Sequence, residues 1–252
     1  MLTIITDLGL PMMLAIGVAA LVTSAIHGAT GVAGGFLMTA VLAGLIGVKP
    51  VVPIMSVALL ISHSSRMFLN RQNFKADVFW AVVLPATPCI ILAAWLYGKM
   101  SSSMLAIVLG LVVLFSIPLR RWASSRQIKT TKKSLTGVGA VYGALSGASI
   151  GSGMLLIPFM LGYGLSRQAF VGTLAAIALT TNVTRVSVFS TTQLLDTQYL
   201  LLGVYVGLVT IPGNMIGRYV LRKLTDGRHA FAVDVLTVLG GINFLWLAFH
   251  QS

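Results

Sequence analysis

Low-polarity stretches approaching the ~20 residues that a helix needs to cross a bilayer recur along the whole chain. Each is expected to be helical, because hydrocarbon offers the backbone no other hydrogen-bond partner. In the first half they are residues 10–27, 36–47, 51–68, 78–97 and 103–119. A polar, basic stretch follows at 120–134, and the second half offers 135–149, 154–162, 169–189, 199–216 and 230–249. The second stretch of each half is short and follows a glycine-rich segment, 28–35 in one half and 147–153 in the other. Each such pair reads as a re-entrant hairpin or as two crossings, and both return the chain to its starting side.

Composition turns these stretches into membrane spans. The 252 residues are 57% hydrophobic and only 9% charged, with a mean hydropathy of +0.95. That exceeds what a soluble core of this size can hide, so the chain reads as an integral membrane protein. Asp7, and no basic residue, precedes the first stretch, which is the wrong sign for a signal peptide and predicts a retained span. Cys89 is the only cysteine, which excludes an internal disulfide, a thiolate metal cage and a CxxC redox pair.

The two halves repeat. Gly28, Ala29 and Gly34 recur as Gly147, Ala148 and Gly153 at a constant offset of 119 residues. The same offset aligns Leu60 with Leu179, Arg66 with Arg185, Asp77 with Asp196, and Gly98-Lys99 with Gly217-Arg218. A shared Arg, Asp and Gly-basic pair in one ungapped register argues for duplication. The expected organisation is a first membrane repeat at 1–119, a basic linker at 120–134 and a second membrane repeat at 135–252.

Charge sets the orientation. The five acids are all Asp, against 17 Lys and Arg, for a net charge of +12. If each half makes an odd number of net crossings, fourteen basic residues share one side, and only Lys49, Lys99 and Arg185 fall elsewhere. The positive-inside bias then makes the linker cytoplasmic and puts both termini outside. It also inserts the halves upside down relative to each other, the inverted-repeat plan of many secondary transporters. The expected fold is therefore all-α and polytopic, two inverted helical repeats, each with a glycine-rich helix break or re-entrant hairpin. Because the basic residues lie in short loops, without interleaved aromatics on a soluble face, nucleic-acid binding is excluded.

Two polar knots interrupt equivalent spans, Ser62-His63-Ser64-Ser65-Arg66 and Thr181-Asn182-Val183-Thr184-Arg185. An Arg facing lipid is costly, so each should face a cavity, a partner or the headgroups. Arg185 is the stronger intramembrane candidate because its span continues through Val186-Ser187-Val188-Phe189, whereas Arg66 sits where a side chain can snorkel to the interface. A fixed guanidinium with hydroxyls one turn away suits an oxyanion. Without Glu and with few Asp, an inorganic-cation site has little to be built from. Where a helix stops inside the membrane, its free N–H groups can face an anion, with Thr30 and Ser149 as added donors. The plainer alternative for the glycines is close helix packing. Among the candidates for coupling, His27 and His63 are of the residue type whose ordinary pKa lies near neutrality, with His63 the better candidate for a proton role and a packing residue otherwise. Neither a GxxxxGK[ST] loop nor a GxSxG or HExxH motif is present, which excludes ATP-driven transport by this chain alone and leaves a membrane hydrolase without a constellation.

The order and spacing of these features resemble the TauE/SafE family of sulfite exporter-like membrane proteins over nearly the entire chain. The resemblance rests on two half-length repeats, the glycine-rich segments, the Asn/His-x-x-Arg segments and the Gly-basic pairs. It implies a transporter, not an enzyme, that moves sulfite or small organosulfonates, commonly outward, without a bound cofactor. Its glycine-region positions correspond to Gly28, Thr30, Gly31, Gly34, Gly147, Ser149, Gly151 and Gly153, and its polar segment to His63, Arg66, Asn182 and Arg185. Ser62 and Thr181 complete the expected anion site, which requires no metal. Gly31 and Gly35 are answered by Ile150 and Met154 in the second half, so the second segment is less glycine-rich. The expected partners are a small anionic substrate and the bilayer of a cell membrane, a bacterial inner membrane, with self-association left open. A passive anion channel is the competing function.

Overall fold

The computed structural model describes residues 2–30, 33–125, 129–221 and 226–250. Ten α-helices account for most of them: α1 Leu2–Thr30, α2 Ala33–Ile46, α3 Val51–Leu69, α4 Ala76–Lys99, α5 Ser102–Ser125, α6 Lys132–Ala148, α7 Leu156–Gly162, α8 Arg167–Thr191, α9 Thr197–Leu221 and α10 Asp226–His250. Two 3₁₀ turns, Arg71–Asn73 and Ser152–Leu155, complete the order, and there is no strand among the described residues. Every apolar stretch of the sequence falls on one of these helices. Within α1 the helix is interrupted at Gly9, whose φ of +73° precedes Pro11, so its straight apolar part begins where the hydropathy does. α5 runs on to Ser125, so the first part of the basic stretch is a helix end and not a loop.

Among the described residues, five helices contain segments long and apolar enough to cross a membrane: Gly9–His27, Val51–Phe68, Ala76–Lys99, Gln168–Thr191 and Thr197–Gly217. Their outer faces are bare and apolar, as lipid requires. Leu10, Leu14, Val18 and Val22 form an exposed stripe at four-residue spacing on α1, and Leu208, Ile211 and Met215 form one at three- and four-residue spacing on α9. Trp80, Trp95 and Trp246 are also exposed, and Lys99 Nζ lies 3.6 Å from the Trp95 ring centroid, the amphipathic pairing favoured at an interface.

α7 has seven residues and so is about 10 Å long, too short to cross a ~30 Å core. Its end returns to the start of α6, because Thr130 N donates to Gly162 O at 3.1 Å. The second broken pair is therefore a hairpin. α6 stops at Ala148, Ser149 is extended (φ −142°, ψ 160°) and Gly151 is left-handed (φ +94°), so the chain reverses over three residues. Glycine suits that φ because it has no Cβ to clash.

Packing crosses between the halves. α4 lies on α6, and α1 on α9; α3 packs on α8 and α9, and α4 also on α8; α5 pairs with α10. Close approach of α6 to α4 depends on Gly139, Gly143 and Gly147. A Cβ at these positions would fall 2.7 Å from Val82 O, Ala86 Cα and Ile90 O respectively. The buried side chains form two clusters, one of α4, α6, α7 and α8, the other centred on α1, α2, α3, α5, α9 and α10. Each half thus lends its fourth helix to the first helix of the other half.

Candidate functional site

The central helices α3 and α8 carry the two polar knots toward the α6–α7 hairpin. A cavity of about 90 Å³ opens there, with Arg66 and His63 from α3, Asn182 and Arg185 from α8, His27 from α1, and the reversal Ser149–Gly153 in its wall. Among the described residues, two guanidinium groups and two imidazoles line it, and no carboxylate does.

Arg185 is only 4% exposed, and the network around it is specific. Asn182 Nδ2 donates back to Ala178 O at 2.7 Å, which leaves Oδ1 to accept from Arg185 Nη2 at 2.6 Å. Arg185 Nη1 donates to Ser149 O at 3.0 Å, tying α8 to the residue where α6 ends. Nε is buried and has no hydrogen-bond partner among the described residues. A buried guanidinium loses several kcal/mol of solvation unless opposite charge and acceptors replace water. Here two neutral acceptors do part of that, and Nε keeps a donor without a partner among the described residues.

The surrounding hydroxyls are ordered. Thr181 Oγ1 donates to Ile177 O at 2.9 Å, so Tyr142 OH, 2.9 Å from Thr181 Oγ1, is the donor in that pair. Ser146 and Ser152 hydroxyls meet at 2.7 Å across the hairpin, and Ser149 Oγ donates to Leu145 O at 2.7 Å. On α3, Arg66 Nη1 stands 3.5 Å from His27 Nε2, linking the knot to the end of α1. His63 Nδ1 is buried without a hydrogen-bond partner among the described residues.

A family model described as sulfite exporter TauE/SafE matches residues 15–244. The chain belongs to the TauE/SafE family. Membership places it among membrane transport proteins of the sulfur-anion exporter type. No curated protein and no solved structure matches the chain.

Of the site residues expected in this TauE/SafE chain, His63, Arg66, Ser149, Gly151, Gly153, Asn182 and Arg185 line one cavity. Ser62 is buried but lines a smaller neighbouring pocket, and Thr181 is turned to Tyr142. Gly147 does not line the cavity; its bare Cα is pressed on the α4 backbone, which is the packing alternative. Gly31 lies outside the described residues, as do the side-chain environments of Gly28, Thr30 and Gly34. Tyr142, Ser146 and Ser152 line the cavity without having been singled out in the sequence. Tyr142 and Ser146 share a face of α6 at four-residue spacing, and that polar pair on an apolar helix was the available signal.

Proposed function

We propose that this TauE/SafE protein is a secondary transporter, working outward, for a small sulfur oxyanion such as sulfite or a short organosulfonate. The observation that carries the reading is Arg185, buried in a cavity where, among the described residues, its Nε has no partner and the lining has four basic side chains and no acid. A pyramidal or tetrahedral oxyanion supplies both the missing charge and the missing acceptors, and charge-assisted bonds of this kind are the strong ones. About 90 Å³ corresponds to roughly three molecules of liquid water at about 30 Å³ each, room for an inorganic oxyanion or a short sulfonate head.

Inverted halves support the transport mechanism. The offset of 119 residues that aligns the sequences also exchanges the packing partners, since α1 on α9 becomes α6 on α4, and α3 on α9 becomes α8 on α4. Alternating access then follows from motion of the α4–α6–α7–α8 cluster against the rest, with the anion cavity at their boundary. In this reading the linker 120–134 is cytoplasmic and both termini are outside.

Proteoliposome flux of labelled sulfite, thiosulfate, sulfate and taurine tests the proposal. Saturable sulfite flux with counterflow is expected. The Arg185→Ala variant should lose about 100-fold or more in flux, as two charge-assisted bonds of about 1.5 kcal/mol or more each would give, while still inserting into the membrane. Normal flux in that variant would remove the central claim, and unsaturable flux without counterflow would make the protein a channel.

A further inference from the structure

Away from the anion cavity, α5 leaves a slot in the packing. It lies chiefly on α10 and meets the α6–α7 hairpin mainly through the 3₁₀ turn Ser152–Leu155, with little of α6 or α7 against it. A cavity of about 260 Å³ is left between α5, α6 and that turn, lined by Leu111, Phe115, Leu145, Met154 and Leu155 among others. Leu111 is 43% exposed and Phe115 67%, so the slot opens on the outer, apolar side of the helices.

Water is a poor occupant. The two hydroxyl side chains in the lining are engaged, since Ser116 Oγ donates to Val113 O at 2.5 Å and Ser152 Oγ pairs with Ser146 Oγ at 2.7 Å. A buried water needs roughly two to four polar partners. Left empty, the lining forfeits dispersion contacts on one side. An apolar cavity of about 150 Å³ already admits a benzene-sized guest, so this one has room for a length of hydrocarbon chain.

Charge selects the lipid. Thr130 N, bonded to Gly162 O, puts Lys129 beside the end of α7. From there α7 runs back over its seven residues, about 10 Å, to the slot lining at Leu155. Lys132 and Lys133 start α6, and its lining residue Leu145 lies roughly 20 Å further along that helix. One leaflet of a ~30 Å hydrocarbon core has about that depth, ~15 Å. Lys129, Lys132 and Lys133 are all exposed, and the stretch 120–134 holds six basic residues and no acid. Such a cluster at the membrane surface is the complement of an anionic headgroup.

We propose that an anionic phospholipid binds here, with its phosphate on Lys129, Lys132 and Lys133 and one acyl chain in the slot between α5 and the hairpin. The site stands on the fold and the charge, and does not depend on the anion-transport reading. Gly151 and Ser152 line the slot and the anion cavity alike, so the acyl chain backs the reversal that walls the cavity.

Native mass spectrometry of the delipidated full-length protein measures binding, with dioleoylphosphatidylglycerol, dioleoylphosphatidylcholine and glycerol 3-phosphate as probes. Phosphatidylglycerol is expected to bind about tenfold or more tighter than phosphatidylcholine. Glycerol 3-phosphate, the same headgroup chemistry without chains, should give no adduct. Lys129→Gln, Lys132→Gln and Lys133→Gln combined should bring phosphatidylglycerol to the level of phosphatidylcholine. Val112→Phe and Ser116→Phe, which fill the slot from α5, should each weaken both lipids several-fold. A phosphatidylglycerol with a diazirine at its chain terminus locates the chain in the wild type, and crosslinks within 111–116 and 151–155 are expected. Crosslinks confined to other segments, or equal affinity of the wild type for the two lipids, would overturn the proposal. Glycerol 3-phosphate binding as tightly as the lipid would also overturn it, leaving a phosphate site without a chain. A dimer mass in place of the lipid adduct would give the slot to a second copy of this chain.

Discussion

Arg185 Nη1 donates to the backbone carbonyl of Ser149 across 3.0 Å, so the most buried charge in the described structure is tied to the residue at which α6 stops. The bond couples two features that are 36 residues apart in the chain. A helix end has carbonyls with no partner in its own ladder, and the guanidinium of α8 satisfies the one at Ser149. Movement of the hairpin relative to α8 would break this bond.

If the charge of Arg185 is held for an anion, supplying an internal anion should compete with it. Asn182→Asp places a carboxylate where Oδ1 now accepts from Arg185 Nη2 at 2.6 Å. The carboxylate neutralises Arg185 without changing side-chain size. We expect the apparent KM for sulfite to rise at least tenfold, about 1.4 kcal/mol, with insertion and monodispersity unchanged. Concentration-dependent flux in proteoliposomes measures this, and an unchanged KM would mean that Arg185 does not contact the substrate.

The glycines should separate by role. At Gly147 a methyl group would fall 2.7 Å from Ile90 O and 2.9 Å from Ala94 N, both backbone atoms that cannot swing aside. Gly147→Ala should cost about 1–3 kcal/mol as overpacking. Gly151→Ala should cost roughly 1 kcal/mol through its positive φ, whereas Gly153→Ala meets nothing within 4 Å and should leave stability unchanged. Thermal unfolding of the three variants in one detergent checks the order. A Gly153 variant less stable than the Gly147 variant would contradict it.

Much of this architecture was legible in the residues themselves. Arg185 stood out because apolar residues continue past it, and a charge with no route to the headgroups needs a cavity. Asn182 followed at one helical turn. The hairpin was not decidable, because a short apolar stretch after a glycine break has the same length whether the chain turns back or crosses; the deciding contact, Thr130 to Gly162, is nonlocal. The partition of the packing was equally hidden. A glycine at four-residue spacing reads as a break or as a contact surface, and only the partner helix, α4, assigns Gly139, Gly143 and Gly147 to contact.

Tyr142 and Thr181 should act as a pair that seats α6 on α8, not as substrate ligands. Tyr142 OH is the donor and Thr181 Oγ1 the acceptor at 2.9 Å, in a buried setting. A double-mutant cycle with Tyr142→Phe and Thr181→Val should give a coupling of about 0.5–1.5 kcal/mol in stability. Sulfite KM in Tyr142→Phe should stay within about twofold of wild type, less than 0.5 kcal/mol. A tenfold change in KM would place the Tyr142 hydroxyl on the substrate.

Topology is open to a direct check with single cysteines on a Cys89→Ser background. Because Thr130 N and Gly162 O are bonded, residues just before α6 and just after α7 must emerge on one side of the bilayer. Lys129 and Gln168 are both exposed and flank the hairpin, so Lys129→Cys and Gln168→Cys should react with a membrane-impermeant maleimide from the same face. In the proposed topology that face is the cytoplasmic one, the side to which fourteen of the 17 basic residues are assigned. Lys49→Cys, in the turn between α2 and α3, should react only from the opposite face. In right-side-out vesicles, then, Lys49→Cys is expected to be labelled at once and the other two only after permeabilisation. Labelling of Lys129→Cys and Gln168→Cys from different faces would break the hairpin, whereas reversal of all three would keep the fold and invert its orientation.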